Sequence, residues 1–251
     1  MARDGRLFTA VALALLVLPG LLSDMSSPVA APGELPPPGP WMAITAISIV
    51  LSLVGQLALI RLALAAGTSV RDAIVHGFNR LLPYLAATLI LFLPLIAAGY
   101  LLYSAVGSDP QNPRGGPLVG LLLLAIVGLI LFVRLSFLAA VASAEAVGPF
   151  DVLRRAWELG RGNWWRLFAF GLLFGITAIV ALTAVQSVVG TAAAAAFGEL
   201  EPWSVGTLLV SLVGQVLTAA IYTVFFVMLA RMYRQLTGPG EAQAGVPTTG
   251  T

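Results

Sequence analysis

The sequence predicts an all-α, polytopic membrane helix bundle of about six transmembrane helices with two cytoplasmic amphipathic interfacial helices. Three observations carry this expectation. Hydrophobic residues make up 59% of the 251-residue chain and charged residues only 10%, with a mean hydropathy of +0.97. A soluble domain carries about 25% charged residues, so this chain lacks the polar material to cover its own surface. Apolar runs recur at about 7–22, 41–64, 81–103, 118–142, 167–190 and 203–230, against the roughly 20 residues that cross a hydrocarbon core. Finally, the basic residues are all Arg, and twelve of the thirteen fall on one side of the alternating topology, leaving Arg114 alone on the other. By the positive-inside rule both termini face the cytoplasm.

The first run, Leu7 to Leu22, follows a short charged start. Its 16 residues reach roughly 24 Å, short of a 30 Å core. That length also suits the apolar part of a signal peptide. The best small-residue cleavage site, Val29-Ala30-Ala31, is followed by Pro32, and a retained helix is favoured. Six prolines between Ser23 and Pro40 then suggest an extended external loop. After the second span, Ser69 and Asp72 have capping-box spacing. From Thr68 to Arg80 a surface helix is expected, with Val70, Ile74, Phe78 and Leu81 on one face and Arg71, Asp72, His76, Asn79 and Arg80 opposite. Pro83 and Tyr84 lead into the third span, where Pro94 marks a kink. Gly107 to Pro117 reads as a turn-rich loop before the fourth span.

The stretch from Glu145 to Leu173 joins two apolar runs and carries most of the information about the membrane edge. Gly148 and Pro149 end one segment and open the next, Pro suiting the first helical position. Asp151 lies in that first turn, where a carboxylate complements the helix dipole. Phe150, Leu153 and Trp157 share a face, while Asp151/Arg155 and Arg154/Glu158 have i, i+4 ion-pair spacing. Gly160 and Gly162 end this second surface helix and Asn163 is placed to cap the next. Trp164, Trp165 and Arg166 mark an interface before the fifth span. An Ala-rich extension to Phe197, an acidic loop at 199–202 and the sixth span follow. Residues 1–236 form a single membrane domain, and 237–251 read as a disordered cytoplasmic tail. The span–surface helix–span pattern occurs twice, at about 41–106 and 118–190. Either a parallel internal repeat, as in some transporters, or two similar apolar hairpins accounts for it.

GPFDVLRRAWELGRGNWWRLF resembles the signature of the glycerophosphoryl diester phosphodiesterase membrane-domain family and its uncharacterised bacterial relatives. The matching positions are Gly148, Pro149, Arg155, Ala156, Trp157, Leu159, Arg161, Gly162, Trp165 and Arg166, with Ala156 where the family often has Ser. Glu145 and the stretch 69–85 also fit. The resemblance implies a six-helix membrane domain with surface helices. It does not imply phosphodiesterase activity, which in that family belongs to a separate soluble barrel.

Few residues offer chemistry. There is no Cys and one His, so no thiolate site, convincing zinc site or Ser/His/Asp triad can be assembled. No Walker or dinucleotide glycine loop occurs, and no basic cluster suits nucleic acid. His76 reads as a solvated interfacial residue. Arg134, inside the fourth run, is expected to snorkel to the inner edge. With Glu145 it forms a candidate structural charge clamp. A continuous helix would set the two about 16 Å apart along its axis, so Glu145 is expected to meet Arg154, Arg155 or Arg161 instead. Gly171 and Gly175 are expected to pack helices within the bundle. Gln56, Gln186 and Gln215 serve as interhelical glue or line a polar cavity.

Candidate lipid or partner contacts are Arg154, Arg155, Trp157, Arg161, Trp164, Trp165 and Arg166, a set suited to anionic headgroups. The expected function is a non-catalytic, lipid- or partner-binding membrane scaffold without a cofactor. Its partners are anionic lipids on the cytoplasmic side, with a protein partner or a second copy also open, and no nucleic acid. The alternative is a small-molecule or lipid transporter component. The absence of Lys suits a GC-rich bacterial genome, and the expected site is a bacterial inner membrane.

Overall fold

The computed structural model describes residues 2–28, 37–65, 67–106, 115–198 and 203–244, with side chains described from residue 5 to residue 238. Nine α-helices occur among them: α1 (Ala2–Ala12), α2 (Leu18–Ser26), α3 (Trp41–Leu64), α4 (Val70–Val106), α5 (Gly115–Arg134), α6 (Leu138–Ala144), α7 (Pro149–Gly160), α8 (Trp164–Phe197) and α9 (Val205–Ala244). A π-helical turn, Leu13–Val17, joins α1 to α2, so these three pieces make one span. Pro19 lies two residues beyond the wide turn, and its missing N–H removes a donor from the helical ladder there. Among the described residues, six helices are long and apolar enough to cross a membrane, which defines an all-α, multi-pass membrane protein.

α3 is the hub. It packs against α2, α4, α6, α9 and the first span. Close approach comes from small residues, as expected where lipid offers no hydrophobic drive between helices. At Gly55, an added Cβ would lie 2.9 Å from the Cβ of Leu15, and at Gly77 of α4 it would lie 2.7 Å from the carbonyl oxygen of Val54. The two halves of α3 differ. Val54, Leu57, Ala58, Leu59 and Ile60 are fully buried, while Met42, Ile44, Ile47 and Ile49 are exposed. The tight end of the bundle is therefore the end that carries α7.

Several expectations are corrected here. No separate surface helix precedes the third span. α4 runs 37 residues from Val70 through Pro83 and Pro94, about 55 Å at 1.5 Å per residue. Its buried positions at that end are Ala73 and Gly77, while Phe78, on the apolar face of the expected surface helix, is exposed. The first span–surface helix–span unit thus lacks the independent helix that α7 supplies in the second, and the two do not match as a repeat. The fourth span is discontinuous: α5 stops at Arg134, residues 135–137 form a turn, and α6 resumes at Leu138. The Ala-rich extension belongs to a continuous 34-residue α8. Where disorder is expected from Thr237, the helix continues to Ala244 through a break at Gly238, whose φ is 73°. Residues 29–36 of the Pro-rich loop, 107–114, the acidic loop 199–202 and the tail 245–251 lie outside the described residues.

Candidate functional site

The short helix α6 organises the tight end of the bundle. Its sequence, LAAVASA, is rich in Ala, and every residue from Leu138 to Ser143 is buried. It touches α3, α4, α7 and α9. Its C-terminal carbonyls have no further helical turn to pair with, and partners from other helices take over. The Nε2 of His76 on α4 lies 2.7 Å from the carbonyl oxygen of Ser143. A carbonyl only accepts, so Nε2 carries the proton. The Ser143 hydroxyl in turn donates to the carbonyl of Leu57 on α3 at 3.1 Å. His76, expected on a solvated face, is instead a clip between α4 and α6.

Two residues on, Glu145 leaves the helix in an extended conformation. Its Oε1 accepts from the hydroxyl of Tyr233 on α9 at 2.8 Å and from Nε of Arg155 on α7 at 3.3 Å. Arg155 also reaches Glu158 at 3.9 Å. Among the three arginines expected to meet Glu145, the contact is to Arg155. The segment from Ser143 to Glu145 thus bonds to α3, α4, α7 and α9.

α7 starts as its sequence indicates, with Gly148 at the cap and Pro149 in the first turn. Its large apolar stripe and its buried face do not coincide. Val152, Ala156 and Gly160 are buried, whereas Phe150 is 71% exposed and Leu153 is only partly covered. The reason is closeness: at Gly160 a Cβ would lie 2.5 Å from the carbonyl oxygen of Arg134, so only a residue without one fits. α7 lies across the end of α5, and the small face, not the large one, turns inward.

This packing also decides the fate of Arg134. It does not clamp to Glu145, which bonds Arg155 and Tyr233. The Arg134 guanidinium carbon sits 4.4 Å from the centre of the Trp157 ring, a cation–π geometry. Trp164 stacks on Phe168 with ring centres 5.3 Å apart and planes 3° from parallel, and Trp165 meets Trp164 edge-on at 4.6 Å. Asn163 occupies the capping position of α8 but makes no capping hydrogen bond with its side chain.

The seven candidate contact residues divide into two groups. Arg154, Arg161, Trp165 and Arg166 face outward, with Trp165 73% exposed. Arg155, Trp157 and Trp164 are engaged within the protein. At the far end, Gln215 donates to Asp24 at 2.8 Å and Gln186 packs against Gly214, while Gln56, in the buried half of α3, accepts from Tyr84 at 3.4 Å. The three glutamines therefore do not meet at Arg134. Gly171 and Gly175 have open space around them, so they do not bring α8 close to another helix of this bundle. Among the described residues no group of three or more His, Asp or Glu side chains is placed to hold a metal ion.

Sequence reasoning missed the partners of His76, Ser143 and Tyr233. His76 stands out in the sequence as the one histidine, but neither it nor Tyr233 carries a local signal of what it bonds to.

The arrangement defines a class: a six-span helical membrane protein whose fourth span is broken and pinned at one end by a polar node. The chain belongs to the DUF7847 family, a domain of unknown function, which matches residues 1–236. That assignment carries no link to the glycerophosphoryl diester phosphodiesterase membrane domains, which the central stretch resembles. No curated protein and no solved structure matches the chain.

Proposed function

We propose that this protein is a non-catalytic membrane scaffold of a bacterial inner membrane, with both termini cytoplasmic, that gathers anionic lipid headgroups at its α7 end. The observation that carries this reading is the outward face of the α7–α8 corner. Arg154, Arg161 and Arg166 project there beside exposed Trp165 and Phe150. Arg154 pairs with exposed Glu158, at 3.1 Å. Cations and aromatic rings at the headgroup level are what an anionic leaflet attracts, each cation contributing about 1 kcal/mol near such a surface.

The test is lipid composition around the purified full-length protein in mixed phosphatidylglycerol and phosphatidylcholine micelles. The wild type is expected to enrich the anionic lipid, and the triple variant Arg154→Gln, Arg161→Gln, Arg166→Gln to lose that enrichment. An unchanged lipid ratio in the triple variant defeats the reading. A transporter remains the second reading because discontinuous spans recur at transporter binding sites, and α5–α6 is one. Solute flux into proteoliposomes that depends on the protein would favour it over a scaffold.

A further inference from the structure

Three buried polar atoms lack a hydrogen-bond partner among the described residues: Nε of Arg134, Oγ of Ser136 and Nε1 of Trp164. They lie on elements that pack together, α5 contacting both α7 and α8. Arg134 closes α5, Ser136 lies in the turn that interrupts the fourth span, and Trp164 opens α8. Gly160 of α7 seats its backbone on the Arg134 carbonyl, and Trp164 follows it by four positions in the chain.

The chemistry of this set is one-sided. Guanidinium and indole nitrogens only donate, and a serine hydroxyl can donate as well. Native proteins seldom leave such groups buried and unpaired, because each forfeits its bonds to water. The nearby acids do not answer them: Glu145 is taken by Arg155 and Tyr233, and Glu158 by Arg154 and Arg155. The Trp157 ring lies against the Arg134 guanidinium, and Nε still has no hydrogen-bond partner among the described residues. Donors without an acceptor, around a cation without a counter-charge, fit an oxyanion. Guanidinium is the side chain best shaped for phosphate, offering parallel N–H groups.

We propose that Arg134, Ser136 and Trp164 form a binding site for a phosphoryl oxyanion at the break in the fourth span, with the Trp157 ring as its cover. The three atoms are closed off in this structure, so entry requires Trp157, which is 38% exposed, to swing off the guanidinium. Arg134 closes α5, and the fourth span resumes four positions later as α6. A phospholipid headgroup and free phosphate share the chemistry. The lipid source rests on the scaffold reading above, whereas the oxyanion site stands on its own donors.

Native mass spectrometry of the full-length protein, after exchange from phosphatidylglycerol micelles into lipid-free detergent, reads this site. Titration with inorganic phosphate is run in parallel. The expected result is one phosphatidylglycerol retained per chain and no phosphatidylcholine. Trp164→Phe keeps an aromatic ring beside Phe168 but removes the N–H together with part of the indole. It and Ser136→Ala are each expected to weaken retention about tenfold, the worth of one charge-assisted hydrogen bond. Arg134→Gln is expected to abolish it. Melting temperature separates lost binding from lost folding in all three variants. Tight phosphate binding without lipid retention, sensitive to the same variants, assigns the site to a soluble oxyanion. Wild-type retention in Trp164→Phe and Ser136→Ala, or no binding of either probe by the wild type, overturns the proposal. The surface triple variant is expected to keep the single tight lipid while losing bulk enrichment, so the two readings fail separately.

Discussion

His76 on α4 donates a hydrogen bond to the carbonyl of Ser143, 67 positions away, at 2.7 Å. That bond caps the end of a seven-residue helix whose own ladder has run out. His76→Leu removes the donor and leaves the carbonyl buried without a partner, at a cost of about 1–3 kcal/mol. The thermal midpoint in detergent is expected to fall, and His76→Gln to recover part of the loss. A midpoint for His76→Leu equal to wild type would show that water replaces the bond.

Glycines at the tight end and on α8 should respond in opposite ways. Gly77→Ala and Gly160→Ala each drive a methyl into a backbone carbonyl, of Val54 at 2.7 Å and Arg134 at 2.5 Å. Backbone cannot rotate aside like a side chain, so each is expected to destabilise by about 1–3 kcal/mol. Gly171→Ala meets open space and is expected to stabilise by about 0.5–1 kcal/mol through helix propensity. Melting curves of the three variants decide the matter, and destabilisation by Gly171→Ala would mean that α8 is covered in the membrane.

Glu145 joins α7 to α9, so its partners should be energetically coupled. Tyr233→Phe removes one hydrogen bond, worth about 0.5–1.5 kcal/mol. Glu145→Ala removes the acceptor shared by Tyr233 and Arg155 and is expected to cost more. In a double-mutant cycle the pair should show a coupling of at least about 0.5 kcal/mol. Strict additivity would mean that the 2.8 Å contact contributes nothing.

Arg154 offers the contrast. Its side chain is 79% exposed and its ion pair with Glu158 spans one helical turn, so Arg154→Gln is expected to change stability by less than about 0.5 kcal/mol. Its effect should appear in the anionic lipid count instead. A large loss of stability would place Arg154 in the structural node with Arg155.

What the sequence by itself determined is local chemistry. The all-α class and six span-length helices follow from hydropathy and length, because backbone groups in hydrocarbon must bond within their own segment. The start of α7 at Gly148-Pro149 follows likewise. So does the reciprocal pair of Ser69 and Asp72, in which the Asp72 N–H donates to Ser69 at 3.1 Å and the Ser69 hydroxyl returns to Asp72 at 2.6 Å. The candidate site was legible in part: the outward Arg and Trp residues of the α7–α8 corner stand in the sequence, whereas its inner partners do not.

Only the tertiary structure decided which faces turn inward and where the fourth span breaks. VRLSFL, residues 133–138, contains no Gly or Pro, and nothing in it announces a turn. The break coincides with Gly160 lying on the carbonyl of Arg134 and with α6 filling the space among α3, α4, α7 and α9. Periodicity puts Phe78 and Phe150 on the apolar faces of surface helices, and the protein leaves both exposed. At a membrane edge lipid serves them equally well, and small residues hold the helices together because they let backbones meet. Sequence pattern reports the apolar face of a helix, and geometry alone decides whether protein or lipid covers it.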